Sequence, residues 1–450
     1  MPLIPQKCVV PLCALVIMAG ATLSVRADPP GTQPPNYVLT VEKSVAWALE
    51  HNPELAAYRG QRGIARAGVV IARTYPFNPV FSATVMGDNG PPAAGITNHV
   101  ASVTTFMQEV EVRGQSRIRR EAAAAALSRV EYEIAVQEQL FAVQTIRAFN
   151  GFLYQQEKLR LLDETIGLQE QTSKKVKQLV DQGFKLKAAD FMLTHADELE
   201  SRGQRGSRQN QAVIAWNALQ RFLGRPVENA QVSGSLPGAP PQGSPEHWTR
   251  YALEKRPELQ AMLMFYREAE QRERLAVANR WGNPSIGTKT EDNETSVWFV
   301  GAQLQFSVPI FNTRRGEIMQ RQAEKNKVML DVQRIETQIP QEVAAALDRL
   351  HQARKWLQTL EDEVLPALRK TMVDFDQLFA QGEIDVLRLI EVRRRDLRTR
   401  DNYLDALWEL NQARADLAAA VGDFMIATGD PAANPGFCAP ARFLPPLPAE

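Results

Sequence analysis

The sequence predicts a mainly α protein with a small β part, built from one unit repeated in tandem. Three observations carry this. The same short motifs occur twice in the same order. Each copy holds a long helix-favouring stretch, 114–183 and 316–382, followed by a second one ending at Gly224 or Gly422. Ahead of each long stretch lie two short segments of strand character, set off by Pro, Gly and Asn.

The repeat is read from spacing. Ala48-Leu49-Glu50 and Asn52-Pro53-Glu54-Leu55 recur as Ala252-Leu253-Glu254 and Arg256-Pro257-Glu258-Leu259. Asn78-Pro79 recurs as Asn283-Pro284, Arg113-Gly114 as Arg315-Gly316, Gln182-Gly183 as Gln381-Gly382, and Leu223-Gly224 as Val421-Gly422. Six matches in one order and nearly one register define a duplicated unit of about 200 residues. The chain then divides into 28–224, a Pro/Gly-rich linker 225–246, a second unit 247–428, and a Pro-rich tail 429–450 expected to be disordered.

Composition narrows the function. With 52 Lys+Arg against 52 Asp+Glu the net charge is zero, which excludes the basic surplus of a nucleic-acid binder. Ala, Glu, Gln, Arg and Leu are abundant and aromatics are only 7%, which favours long helices over an all-β fold. Cys8, Cys13 and Cys438 cannot build a disulfide framework or a zinc site. Residues 1–27 have the form of an export signal: Lys7, an apolar run from Val9 to Leu23, then Val25-Arg26-Ala27 before a mature start near Asp28. Cys13 follows Pro11-Leu12, a poor context for lipidation. Residues 28–36 form a Pro-rich lead-in. No further run of 18 apolar residues exists to span a bilayer as a helix.

Each copy opens with a short helix (42–50; 246–255) broken at Pro53 or Pro257, residues suited to the first turn of the next helix. That helix runs to about Arg73 or Ala278. Strand segments follow at 77–87 and 100–112, then at 284–291 and 297–310, with polar turns at 87–92 and 291–294. The long stretches after Gly114 and Gly316 would reach about 100 Å as single helices. Pro340 and Pro366 are expected to bend or interrupt the second, and Gly151 and Gly167 the first. Ile390, Leu397 and Leu404 keep heptad spacing, but Arg393 and Arg400 spoil a simple zipper seam.

The strands carry the functional information. Over 298–308, Trp298, Val300, Ala302, Leu304, Phe306 and Val308 alternate with Phe299, Gly301, Gln303, Gln305 and Ser307. One face is apolar and the other small or polar, which suits either a half-buried soluble strand or a strand facing lipid through Trp298, Val300, Leu304 and Phe306. Open sheet edges are not tolerated in lipid, and membrane barrels need about eight strands or more. One chain offers four, so a membrane barrel has to be shared. Three chains give twelve strands and room for a lumen.

A signal peptide and two copies of helix, strand, strand and long helical hairpin, each opened by a Pro-Glu-Leu motif, resemble the TolC-type outer-membrane efflux family over about 40–428. The Asn-Pro before each first strand and the segment Glu109-Val110-Glu111-Val112-Arg113-Gly114-Gln115-Ser116-Arg117 are similar to its heavy-metal (CzcC-like) branch, though Arg-Gly-Gln stands where that branch often has Gly-Gly-Lys/Arg. The resemblance implies a homotrimeric, twelve-stranded outer-membrane β-barrel with four strands per chain, continued by a periplasmic α-helical barrel. It implies a passive exit duct for heavy-metal cations or drugs, docked to a periplasmic adaptor and an inner-membrane pump of the RND type, with no cofactor. It places adaptor contacts at the hairpin tips, Gln182, Gly183 and Phe184, and Gln381, Gly382 and Glu383. Counting back from Gly422 puts Phe379, Arg388 and Glu391 at the family's aromatic and two acidic aperture positions. Arg388 departs from the acid there, Asp385 lies close enough to substitute, and Asp190 is the counterpart in the first unit.

Enzymatic signatures are missing. His51, His99, His195, His247 and His351 show no metal-binding spacing, and no GxSxG, P-loop or GxGxxG occurs. Two rival readings remain open: a periplasmic adaptor, which has one hairpin between β-rich domains, and a structural coiled-coil protein of the envelope, which leaves the alternating strand without purpose.

Overall fold

The computed structural model describes residues 37–87, 100–182, 187–225, 230–236, 241, 243–292, 297–381 and 383–428. The expected signal sequence, the lead-in 28–36, the tail with Cys438, and Gly183, Phe184 and Gly382 lie outside these.

The duplication is visible element by element. The first unit runs β1 (Tyr37–Leu39), α1 (Val41–His51), α2 (Pro53–Arg73), β2 (Val80–Gly87), β3 (Val100–Glu109), α3 (Gln115–Asp181) and α4 (Ala188–Leu223). The second runs β4 (Ala230–Val232), α5 (Pro245–Lys255), α6 (Pro257–Ala278), β5 (Ser285–Asp292), β6 (Trp298–Gln305), α7 (Arg315–Thr359), a π-helical turn (Leu360–Val364), α8 (Leu365–Gln381), α9 (Val386–Val421) and the short α10 (Met425–Thr428). The return legs α4 and α9 both have 36 residues, so the repeat holds in three dimensions as well as in sequence.

Local chemistry sets the helix starts. Thr40 accepts from the Lys43 N–H and caps α1. The Asn52 carbonyl oxygen Oδ1 accepts from the N–H groups of Glu54 and Leu55, and Pro53 occupies the first turn of α2, where its missing N–H is not needed. Ser244 caps α5 through the His247 N–H at 3.2 Å. In the second unit Arg256 stands at the position of Asn52 and makes no such cap. Each unit closes on its own start. Gly224 and Gly422 end α4 and α9 with φ of 77° and 90°, a left-handed backbone that glycine adopts without penalty.

Three of the four expected interruptions are absent. α3 runs unbroken through Gly151 and Gly167, and α7 through Pro340. A Cβ at Gly151 would meet the ring of Trp408 at 3.4 Å, an ordinary contact, and that ring stacks on Tyr154 at 5.2 Å between centroids. Only Pro366 coincides with a change of helix type. The π turn sits directly before it, and the Leu365 N–H bonds back to the Leu360 carbonyl. Widening the ladder there makes room for a ring that would clash with the carbonyl four residues back.

The strands form one antiparallel sheet in the order β2-β3-β5-β6. Its central pair joins the two units, with Thr105 opposite Lys289. The expected strands 100–112 and 297–310 are shorter than anticipated, and Phe306 falls just past β6. A second, two-stranded parallel sheet pairs β1 with β4 and ties the start of the first unit to the stretch between units. Three-residue strands are too short to show a period in sequence. Small side chains cement the halves: Ala415 and Ala418 of α9 pack on Ala142, Val143 and Ile146 of α3 and Val45 of α1. Separate cores lie around Phe149, Leu219 and Leu223, and around Ile339, Leu350 and Leu410. Each such fully buried side chain contributes roughly 1.5–3 kcal/mol.

Candidate functional site

The register assigns every strand residue to a face. Val300 stands beside Thr290, Thr104 and Ala83, and Leu304 beside Ile286 and Gln108. Ala302 aligns with Thr288, Phe106 and Phe81. Trp298, Val300 and Leu304 therefore share a predominantly apolar face with Ile286, Phe106, Phe81 and Val85, and all are exposed in the single chain. Phe306 is also exposed, beyond the end of β6. The opposite face is mixed: it carries charged and polar groups together with Val80, Met86, Val103, Met107 and Phe299. Gly301 aligns with Lys289, Thr105 and Ser82. On it Lys289 pairs with Glu291 at 2.7 Å, and the Ser82 and Thr105 hydroxyls bond at 2.6 Å. A predominantly apolar face backed by one that holds the sheet's charged pair suits lipid on one side and water on the other.

At the far end of the helices the hairpin turns come close to their expected places. α3 ends at Asp181, and the Gln182 N–H bonds to the Gln178 carbonyl. Asp190 accepts from the Lys187 N–H at 2.7 Å, so its carboxylate caps α4, a structural role the sequence reading did not assign. Gln381 and Glu383 are exposed, and the Glu383 N–H reaches back to the Leu378 carbonyl at 3.0 Å to close α8. Asp385 precedes α9 as its N-cap residue, without a side-chain capping bond. Phe379 is half-buried, while Arg388 and Glu391 lie exposed on α9 one turn apart.

The description "Outer membrane efflux protein" matches residues 45–225 and 248–423, which is most of the chain and both units. The chain belongs to the outer membrane efflux protein family. Members are transport channels of the outer membrane that extend into the periplasm. Solved structures share the fold. A membrane protein from Pseudomonas aeruginosa superimposes with a TM-score of 0.69 at 18% identity over 85% of this chain and 92% of that one. CusC gives 0.68 at 16% identity over the same shares. The open state of the MtrE channel of Neisseria gonorrhoeae gives 0.67 at 18% over 86% and 89%. At such identities the likeness establishes the fold alone, and the family rests on the sequence match. No curated protein matches the chain in sequence. Among the described residues no helix is long and apolar enough to cross a membrane, and no group of His, Cys, Asp or Glu is arranged to hold a metal ion.

In this efflux protein the side chains that tie the hairpins together were not found by sequence reasoning. Arg393, taken only as an interruption of a zipper seam, bonds the Thr172 hydroxyl of α3 and pairs with Asp376 of α8 at 3.1 Å. Arg394 pairs with Asp197 at 2.6 Å and Glu200 at 3.3 Å, both on α4, and the Asp197 contact raises its pKa further. Midway along the helices Lys158 of α3 is nearly buried and pairs with Asp401 at 3.1 Å and Asp405 at 2.6 Å on α9. Burial pulls its pKa down, but hydrogen bonds to Asp405, Tyr154 and Asp401 outweigh that and raise it. Arg147 and Asp416 make a further ion pair between the same two helices. The available signal was weak: basic residues at seam positions of one hairpin and acids on another, without a spacing rule to join them.

Proposed function

We propose that three copies of this chain form the exit duct of a tripartite efflux system, receiving cargo through a periplasmic adaptor from an inner-membrane pump of the RND type. The observation that carries this is the four-stranded sheet, predominantly apolar on one face and bearing charged and polar groups on the other, whose outer strands β2 and β6 each have one edge unpaired among the described residues. In lipid those edges must be paired, and β6 of one copy beside β2 of the next closes twelve strands around a wet lumen. Trp298, Val300, Leu304 and Phe306 then face lipid. Large apolar side chains left exposed on the helices, among them Ile64, Ile71, Met192, Ile214 and Leu330, supply the seams between copies below the barrel.

Docking falls to the tips, Gln182, Gly183 and Phe184 with Gln381, Gly382 and Glu383. Phe379, Asp385, Arg388 and Glu391, with Asp190 of the first hairpin, form the periplasmic aperture. Arg393 and Arg394 hold the second hairpin against the first and keep the resting aperture closed. The duct performs no chemistry and takes its energy from the pump. The resemblance leaves heavy-metal cations or drugs as the cargo.

The test is cellular. In a strain lacking its own outer-membrane duct, and supplied with the matching pump and adaptor, this chain should lower the accumulation of a fluorescent efflux substrate. Gly382→Val should abolish that while leaving the trimer intact. Full export by the variant at normal expression would remove the tip from the mechanism.

A further inference from the structure

α9 is packed on three sides near its start. Val386 and Leu389 are buried, Arg393 reaches α3 and α8, and Arg394 reaches α4. The remaining side is open. Arg388, Glu391, Arg395, Arg398 and Asn402 recur there at intervals of three and four, so they lie on one stripe of the helix. All five are exposed. The contrast with their neighbours is specific. Arg393, Arg394 and Arg400 each bond a carboxylate, whereas Arg388, Arg395 and Arg398 have no ion-pair partner among the described residues. Glu391 is the stripe's single acid, and Glu383 and Asp385 precede it at the turn.

The stripe itself carries three guanidinium groups against one carboxylate, so a seam between copies could cover it only where the neighbouring copy supplied matching carboxylates, at a cost of several kcal/mol for each charge left unpaired. Left in water, the stripe is a band of net positive charge. Resting on the duct reading above, we propose that it lines the periplasmic stretch of the lumen and makes the passage selective for anionic solutes bearing carboxylate, sulfonate or phosphate groups. Three copies place nine arginines around a water-filled passage with low-dielectric walls, where like charges focus the field and concentrate counter-ions. The planar guanidinium forks suit the oxygens of such anions.

The test uses the full-length trimer in planar bilayers under a potassium chloride gradient at low ionic strength, so that screening is small. The reversal potential of the wild type should show chloride preferred over potassium. The triple variant Arg388→Gln, Arg395→Gln, Arg398→Gln breaks no ion pair among the described residues, and should invert the sign while keeping the trimer's mass. A potassium-preferring wild type overturns the proposal. So does an unchanged reversal potential in the variant, which would put the stripe on the outer surface. A correctly sized trimer that conducts no ions, even with Arg394→Gln added to loosen the aperture, contradicts the duct itself, and the proposal falls with it.

Discussion

The Cβ that Gly224 lacks would stand 2.7 Å from the Cα of Asn52. The second unit repeats the contact, with Gly422 3.0 Å from the Cα of Arg256 by the same measure. The hydrogen bonds match as well. Asn52 Nδ2 donates to the Phe222 carbonyl at 2.9 Å, and Arg256 Nη1 donates to the Ala420 carbonyl at 3.2 Å. Each long return helix is thus anchored, at its last turn, to the break that opens its own unit. Gly224→Ala should destabilise the protein by about 2–4 kcal/mol, from the left-handed backbone and from overlap with backbone atoms that cannot swing away. Thermal unfolding followed by circular dichroism checks this. A melting temperature within error of the wild type would show that the anchor is slack.

Inside the barrel sheet one glycine is required and another is not. A Cβ on Gly287 would fall onto the Phe106 carbonyl oxygen and lie 2.9 Å from Met107 Cα, across the pair that joins the two units. Gly301, on the next strand and the same face, has open space. Gly287→Val should abolish detergent-stable trimers, whereas Gly301→Ala should leave them intact. Gel mobility of unheated membrane extracts distinguishes the two.

Arg394 and Asp197 tie the hairpins through a partly exposed pair worth at most about 1 kcal/mol. Removing a tie that weak should loosen the aperture without unfolding the helices. Arg394→Gln should raise the resting conductance of reconstituted channels, and Arg394→Lys should restore most of the closure. Equal conductance in all three forms would take this pair out of the gate.

Lys158 gives a pH signature. Its folded pKa lies above its unfolded value of about 10.4, so its stabilisation is complete below that pH and is lost as pH climbs through the folded value. Between neutrality and about pH 10 the contribution should stay flat. Lys158→Met should lower stability by roughly 1–3 kcal/mol at neutral pH and flatten the alkaline decline. Denaturant titrations at several pH values measure both.

Much of this was legible in the sequence because it is local or periodic. The Pro-Glu-Leu starts, the turn positions near 182 and 381, and the alternation over 298–305 all obey short-range rules. The unbroken course of α3 through Gly151 was not legible, because a lone glycine costs a long packed helix only about 1 kcal/mol, which packing outweighs. Nor was the role of Arg393, whose partners Thr172 and Asp376 lie on two other helices. The pairing of β1 with β4 joins segments nearly 200 residues apart through three residues each. Asp190 was placed by counting, and its carboxylate turned out to cap a helix. Spacing reveals elements, while contacts between distant helices need the fold.

The shared barrel is the central claim, and native mass spectrometry of the protein extracted in detergent from separated outer membranes tests it most directly. The account predicts a species of three chains, recovered from the outer-membrane fraction and not from the soluble periplasm. A soluble monomer or dimer would contradict it, because the open edges of β2 and β6 would then never meet lipid.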